Sequence, residues 1–235
     1  MNESRVHALI PAAGRSVRFG GALPKQYCQL LGKPVLSHSI AAVQKHPFVR
    51  GVTVALAPDD SLYDKLIRQE FPRVGTVAGG QSRAHTVING LRQVIEKDPG
   101  CEWILVHDAA RPCLTPASLG NLLEKGLGSL CGAILAVPVS DTLKQSGDDG
   151  FIERTIDRSG VWAAQTPQLF PIRDLVVNLE SALSRGIFPT DEAAAMEAAG
   201  ARPLLVEGDS GNIKITGAGD LALAEFIMQL QLTGE

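Results

Sequence analysis

Short apolar runs of strand length recur along this sequence, and the stretches between them repeat apolar residues at helical spacing. Val6–Ile10, Val52–Leu56, Val74–Val77, Trp103–Val106 and Cys131–Val139 read as buried strands. Val35–Val43, ending before Pro47, reads as a helix, as does Leu119–Leu127. A further helix starts from a cap at Asp60 or Ser61 and runs to Phe71. Ala84, Val87, Ile88, Leu91, Val94 and Ile95 mark the buried face of a long amphipathic one. A chain that alternates strands and helices in this way is constrained to a mostly parallel sheet covered on both faces. In such sheets ligands bind beyond the carboxyl ends of the strands, where this chain places its opening loop, Gly79-Gly80 and Asp108.

Residues 140–160 interrupt the alternation. Asp141-Thr142-Leu143-Lys144-Gln145 and Phe151-Ile152-Glu153-Arg154-Thr155-Ile156 flank the turn-rich Ser146-Gly147-Asp148-Asp149-Gly150, the pattern of a β-hairpin. Its few apolar residues cannot form a core alone, so it is expected to project as an arm and pack on a second copy of the chain. Trp162–Thr166 reads as a return strand, Pro171–Arg185 as a helix with Pro in its first turn, and Thr190 or Asp191 as the cap of a short helix. Leu204–Val206 and Ile213–Ile215 are late strands, and Asp220 caps the last helix. The expected fold is α/β: one Rossmann-like domain over 1–235, with 140–160 as a dimerisation arm.

Pro11 cannot donate to a sheet ladder, so the first strand is expected to stop there. The loop that follows is rich in small residues, with Gly14, Gly20 and Gly21, and carries Arg15, Arg18 and Lys25. Small residues let backbone N–H groups approach a ligand closely, and three cations on such a loop suit a polyphosphate. An ordinary glycine-rich turn with exposed cations reads the same residues equally well. The loop matches neither G-x-x-x-x-G-K-[ST] nor G-x-G-x-x-G, which sets aside the P-loop and the dinucleotide fingerprint.

A formal net charge of −3 over 235 residues argues against general binding to nucleic acid or a membrane surface. A phosphorylated ligand must then be drawn in by a local cationic cluster. Cys28, Cys101, Cys113 and Cys131 show neither a C-x-x-C pair nor metal-site spacing, as expected of reduced thiols in a cytoplasmic protein. No secretory h-region follows the N-terminal charges, and the longest apolar run falls far short of a membrane span.

Asp108 ends a buried strand at the ligand edge. A carboxylate there suits Mg²⁺, which takes one or two carboxylates plus phosphate oxygens, but it equally suits an Asp capping the next turn. Its only neighbour in sequence that could pair with it is Arg111. Lys214, between Ile213 and Ile215, points away from its apolar neighbours and either reaches the site or is solvated. Thr142 and Arg158 lie on the arm. His107 reads as structural, and no Ser/His/Asp or Cys/His set stands out, which fits a reaction that needs no protein nucleophile.

Several motifs run in order over nearly the whole chain. They begin with Pro11-Ala12-Ala13-Gly14, Arg18 and Pro24-Lys25-Gln26-Tyr27, followed by Gly79-Gly80, Arg83 and Val87. Val106-His107-Asp108-Ala109-Ala110-Arg111-Pro112, Asp141-Thr142-Leu143-Lys144 and Thr155-Ile156-Asp157-Arg158 come next. Gln165-Thr166-Pro167-Gln168, Thr190-Asp191-Glu192-Ala193 and Asn212-Ile213-Lys214 complete the set. Together they resemble the 2-C-methyl-D-erythritol 4-phosphate cytidylyltransferase family of the non-mevalonate isoprenoid pathway. The opening loop alone would indicate only the broader nucleotidyltransferase superfamily.

The resemblance implies transfer of CMP from CTP to the phosphate of methylerythritol phosphate, with release of pyrophosphate. It implies that Arg18 and Lys25 hold the triphosphate and stabilise the pentavalent α-phosphate, with Lys214 joining the phosphate or substrate contacts. Pro11, Ala12, Ala13, Gly14, Gly80, Gln81, Thr86 and Ala109 would bind the nucleotide, and Asp108 would hold Mg²⁺. Thr142 and Arg158, from the partner's arm in a homodimer, would bind methylerythritol phosphate, with Arg111, Thr166 and Thr190 lining the pocket. Two positions depart from the family pattern: Ser16 stands where a second glycine is common, and Gln81 where an acidic residue is usual. The Gln81 carbonyl can still accept a hydrogen bond from a cytosine amino group. One rival keeps the chemistry with ribitol 5-phosphate or another polyol phosphate as acceptor, which the arm residues would discriminate. A nucleotide-binding module without catalysis is the other, against which Arg18, Lys25, Asp108 and Lys214 argue as a set.

Overall fold

The first apolar run forms β1 (Val6–Ala12), whose side chains alternate between the two faces of a seven-stranded sheet. Ala8, Ile10 and Ala12 enter one core and Leu9 the other. The computed structural model describes residues 6–14 and 23–233. Arg15, Ser16, Arg18, Gly20 and Gly21 lie outside the described residues.

A tight 3₁₀ turn (Lys25–Tyr27) leads to a two-residue ribbon, β2 (Gln29–Leu30) and β3 (Lys33–Pro34), then α1 (Val35–Gln44), β4 (Val49–Leu56) and α2 (Tyr63–Leu66). Next come β5 (Gly75–Ala78), α3 (Arg83–Lys97), β6 (Trp103–Val106), α4 (Pro116–Gly126) and β7 (Ala133–Pro138). A hairpin of β8 (Leu143–Ser146) and β9 (Ile152–Ile156) precedes β10 (Trp162–Pro171), α5 (Ile172–Ser184), α6 (Glu192–Ala198), β11 (Leu204–Glu207) and α7 (Ala218–Thr233). The sheet order is β11-β7-β10-β6-β1-β4-β5. β10 runs antiparallel to β6 and β7, and the other pairings are parallel. α1, α2 and α4 pack on one face around Leu36, Ile40, Leu119 and Leu122, and α3, α5 and α6 on the other around Val87, Leu91, Leu175 and Met196. Each fully buried Leu or Ile of these layers contributes roughly 1.5–3 kcal/mol.

Five local expectations are corrected. β1 continues through Pro11, which pairs with Ala55 of β4. The Leu9 carbonyl accepts from His107 on the β6 side, so Pro11, two residues on, turns its missing donor to the same side, beyond the last β6 pairing at Val106. α2 covers only Tyr63–Leu66, because Arg68 donates to the Val74 carbonyl at 2.9 Å and to Thr76 at 3.2 Å and folds the chain back toward β5. Ile213–Ile215 is irregular: its Ile215 N–H goes to the Ala110 carbonyl in a loop, at 2.9 Å, and not to a strand. Asp220 sits inside the first turn of α7 and reaches back to the N–H groups of Thr216 and Gly217.

The return strand also runs on to Pro171. Between Ala164 and Gln168 its register shifts against β7, so Gln165 and Thr166 bulge from the ladder beside the end of β6. The hairpin is exposed along most of its length, with Phe151 and Ile152 at its tip.

Candidate active site

The turn at Lys25–Tyr27 is anchored residue by residue. Lys25 Nζ donates to the Ile215 carbonyl at 2.8 Å, Gln26 Nε2 to the Ala12 carbonyl at 2.9 Å, and the Tyr27 hydroxyl to the Asp60 carboxylate at 2.7 Å. The other Asp60 oxygen accepts from the N–H groups of Leu62 and Tyr63, both at 2.9 Å. The expected helix cap is therefore also a brace for the lysine-bearing turn.

After β5 the backbone passes close to the opening loop. A Cβ at Gly79 would lie 2.5 Å from Cβ of Ala13, and one at Gly80 2.5 Å from Cβ of His85. Only glycine fits at either place. The Thr86 hydroxyl accepts from the Gly80 N–H at 3.1 Å and donates to the Ser82 carbonyl at 2.9 Å, fixing this loop against the first turn of α3.

These segments border an open cleft of about 1030 Å³ at the carboxyl ends of β1, β4, β5 and β6. Pro11, Ala12, Ala13, Gly14, Gly80, Gln81, Thr86 and Ala109 all line it, together with Lys25, Lys214 and Asp108. A smaller cavity of about 200 Å³ adjoins it, lined by Arg111, Thr166 and Thr190 and sharing Arg83, Asp108 and Lys214 with the cleft. Thr142 and Arg158 are exposed on the hairpin and line neither space. Arg18, expected on the triphosphate, lies outside the described residues.

Asp108 has more cations around it than its sequence neighbours suggest. Lys214 Nζ stands 2.9 Å and Arg111 Nε 3.5 Å from Oδ2, and Arg83 Nη2 3.6 Å from Oδ1. Burial alone would push the carboxyl pKa up. The charges of Arg83 and Lys214, the Lys214 hydrogen bond and the Arg111 charge outweigh that and hold it well below the usual carboxylate range. This geometry does not fit a direct metal ligand, because a divalent ion on either oxygen would sit against at least one of these cations. Among the described residues no group of three or more His, Cys, Asp or Glu side chains is gathered as a metal site. An ionised carboxylate with lone pairs still open suits hydroxyl donors better.

Behind Asp108 a buried network fixes the strand end. Asp108 N–H donates to Thr166 Oγ1 at 2.9 Å, Thr166 Oγ1 lies 3.1 Å from His107 Nδ1, and His107 Nε2 lies 3.0 Å from the Arg111 carbonyl. One arrangement satisfies all three: Nε2–H donates to the carbonyl and the threonine hydroxyl donates to Nδ1. Burial pushes the His107 pKa down to about 4, so the ring is neutral and structural, as expected. Asn212 Nδ2 donates to Gln165 Oε1 and the Thr166 carbonyl, and Arg111 Nη1 donates to the Asn212 carbonyl at 2.6 Å. Sequence reading assigned no role to Arg83, Glu192, Asn212, Gln165 or Gln168. Only the place of these residues within ordered motifs singled them out.

A profile of the 2-C-methyl-D-erythritol 4-phosphate cytidylyltransferase family matches residues 6–230. The Xanthomonas axonopodis pv. citri protein of that name is 48% identical over 221 residues, covering 94% of this chain and 83% of its own. A crystal structure of 4-diphosphocytidyl-2C-methyl-D-erythritol synthase superposes with a TM-score of 0.84 at 40% identity, over 96% of this chain and 99% of that one. The Francisella tularensis 2-C-methyl-D-erythritol 4-phosphate cytidylyltransferase superposes with a TM-score of 0.82 at 33% identity, over 95% and 100%. Among the described residues no helix is long and apolar enough to cross a membrane.

Proposed function

Because the chain belongs to the 2-C-methyl-D-erythritol 4-phosphate cytidylyltransferase family, we propose that its cleft transfers the cytidylyl group of CTP to 2-C-methyl-D-erythritol 4-phosphate in isoprenoid precursor biosynthesis. A phosphate oxygen of the acceptor attacks the α-phosphorus in line. The bond from that phosphorus to the bridging oxygen breaks, and pyrophosphate leaves with the electron pair. The attacking oxygen is already anionic, so no protein base is required. Catalysis then rests on positioning and on charge that stabilises the crowded α-phosphate. Lys25, with Arg18, takes the triphosphate, and Lys214 faces the α-phosphate where the two cavities meet. The loops at Pro11–Gly14 and Gly80–Gln81 take the nucleoside, with Thr86 and Ala109 behind them.

The observation that carries this reading is that Lys214 and Asp108 border both the large cleft and the small cavity, so a nucleotide and an acceptor would meet at them. Arg111, Thr166 and Thr190 hold the acceptor polyol, and Asp108 accepts from its hydroxyls. Magnesium enters with the triphosphate as MgCTP. Thr142 and Arg158 reach the acceptor from the partner's arm of a homodimer, and the reaction takes place in the cytoplasm.

Pyrophosphate release with CTP, Mg²⁺ and either methylerythritol phosphate or ribitol 5-phosphate tests this. Turnover with methylerythritol phosphate in clear preference supports it. Equal use of ribitol 5-phosphate, or release with neither, overturns it.

A further inference from the structure

Arg83 opens α3 on the nucleotide side of the cleft, and Glu192 opens α6 next to Thr190 and Asp191 of the smaller cavity. The guanidinium grips the Glu192 carboxylate with both terminal nitrogens, Nη1 to Oε1 at 2.6 Å and Nη2 to Oε2 at 3.0 Å. Glu192 is wholly buried. The same Nη2 faces Asp108 Oδ1 at 3.6 Å, whereas Arg111 and Lys214 both face Oδ2. A bidentate clamp fixes the plane of a guanidinium as well as its place. Glu192 therefore sets how Arg83 is presented to Asp108.

The energetics say what such a pair is for. A buried ion pair stabilises a fold little more than two apolar side chains of the same volume, and often less. Nor does α6 depend on it for attachment. Gln168 Nε2 donates to Asp191 Oδ2 at 2.8 Å, and Gln168 Oε1 accepts from the Ala193 N–H at 3.0 Å. What the charged pair adds is a cation of fixed orientation on the Oδ1 side of Asp108, between the two cavities.

We propose that Arg83, held by Glu192, is a positioning residue for acceptor recognition. It sets the plane in which the Asp108 carboxylate meets the acceptor's hydroxyls, and it ties the Gly80–Ser82 loop to the Thr190–Asp191 wall. The inference rests on the cytidylyltransferase reading and deepens it.

The test compares Glu192→Gln, Arg83→Lys and the double variant Arg83→Met/Glu192→Leu with the unaltered protein. Steady-state kinetics with CTP and methylerythritol phosphate are measured alongside thermal unfolding and calorimetric binding of CTP. Glu192→Gln and Arg83→Lys are expected to raise KM for the acceptor about tenfold, with KM for CTP within about twofold. The double variant should unfold near the temperature of the unaltered protein and still show the raised acceptor KM. A double variant with normal acceptor KM would make the pair a structural strut and overturn the proposal. Equal rises in both KM values across the set would overturn it too, as general damage to the cleft. Should the double variant not fold, Arg83→Lys decides alone, since it keeps the charge and loses the bidentate plane. Absence of turnover by the unaltered protein strikes the functional reading itself, and shows before any variant is made.

Discussion

The ammonium of Lys25 donates to the main-chain carbonyl of Ile215 at 2.8 Å, joining positions 190 residues apart. Lys214, the residue before, meets Asp108 Oδ2 at 2.9 Å. One short segment thus sets the spacing of both lysines across the cleft. That segment is held in turn by the Ala110 carbonyl, which accepts from the Ile215 N–H, and by Asp220 through Thr216 and Gly217.

Lys25→Ala should therefore lower turnover far more than nucleotide affinity. Loss of a preorganised charge at the reacting phosphate is expected to reduce kcat by about 10²–10³, with Kd for CTP changed only a few-fold. Single-turnover rates and calorimetry on the same preparation check this. An unchanged rate would remove Lys25 from the reaction.

Asp108→Asn separates a hydroxyl acceptor from a metal ligand. With three cations against its carboxylate, Asp108 should serve the polyol. KM for the acceptor should rise by at least about tenfold, roughly the effect of losing one charged hydrogen bond. The Mg²⁺ concentration giving half-maximal rate should not move. A shift in that concentration with acceptor KM unchanged would restore the metal role expected from the sequence.

Gly79→Ala probes the close approach after β5. Its Cβ would fall 2.5 Å from Cβ of Ala13 and 3.1 Å from the Leu56 carbonyl, so backbone must shift. The displaced part is the opening loop itself. KM for CTP should rise, and stability should fall by about 1–3 kcal/mol, the usual penalty for overpacking. Denaturant titration together with CTP calorimetry gives both numbers, and a variant normal in both would show that the loop tolerates the shift.

The alternation of strands and helices was legible because each element carries its own period: Trp103–Val106 forms a strand over the bounds read from its apolar run, and Asp191 caps α6. Where the sequence misled, a distant partner decided the outcome. The strand read over Trp162–Thr166 runs on to Pro171 because its second half pairs with β6, and Ile213–Ile215 has strand composition without a strand beside it. The small residues that line the large cleft could be read because Pro11–Gly14 and Gly80 end or follow the apolar runs of β1 and β5. Arg83 and Glu192 could not, since the charge on each has meaning only against a residue 109 positions away.

Two histidines, His107 fully buried and His7 half-buried, set an acid limit to stability. Burial, the largest influence, lowers the His7 pKa to about 4, and that of His107 likewise to about 4. In the unfolded chain both titrate near ~6.5. At pH 7 they are neutral in either state. As pH falls below ~6.5 the unfolded chain takes up protons that the folded one refuses, so stability declines and levels off only near pH ~4. The limit is on the order of 3 kcal/mol per histidine. Asp108 contributes in the other window: its depressed pKa gives stability that is full above ~3.9 and lost only as pH drops below that. His7 bonds Thr53 at 2.9 Å, at the opposite end of β1 from the cleft. His7→Gln should thus keep activity and flatten the fall of Tm between pH 6.5 and 4.5, where an undiminished slope would exclude His7 as its source.

The arm is tested by complementation. Arg158 and Thr142 sit on an exposed hairpin and line neither cavity of their own subunit, so a role at the acceptor requires the arm to reach another copy. Arg158→Ala should raise KM for methylerythritol phosphate by about tenfold or more, the scale of a lost charged contact to phosphate, with KM for CTP unchanged. Subunits carrying Arg158→Ala retain an intact Lys25, and Lys25→Ala subunits retain an intact arm. A mixed dimer then holds one complete site, built from the first subunit's cleft and the second's arm, and should recover up to about half of normal activity at saturating substrate. Verified heterodimers with no recovery would mean that each arm serves its own subunit, and the acceptor contacts would have to be sought nearer Arg111 and Thr190.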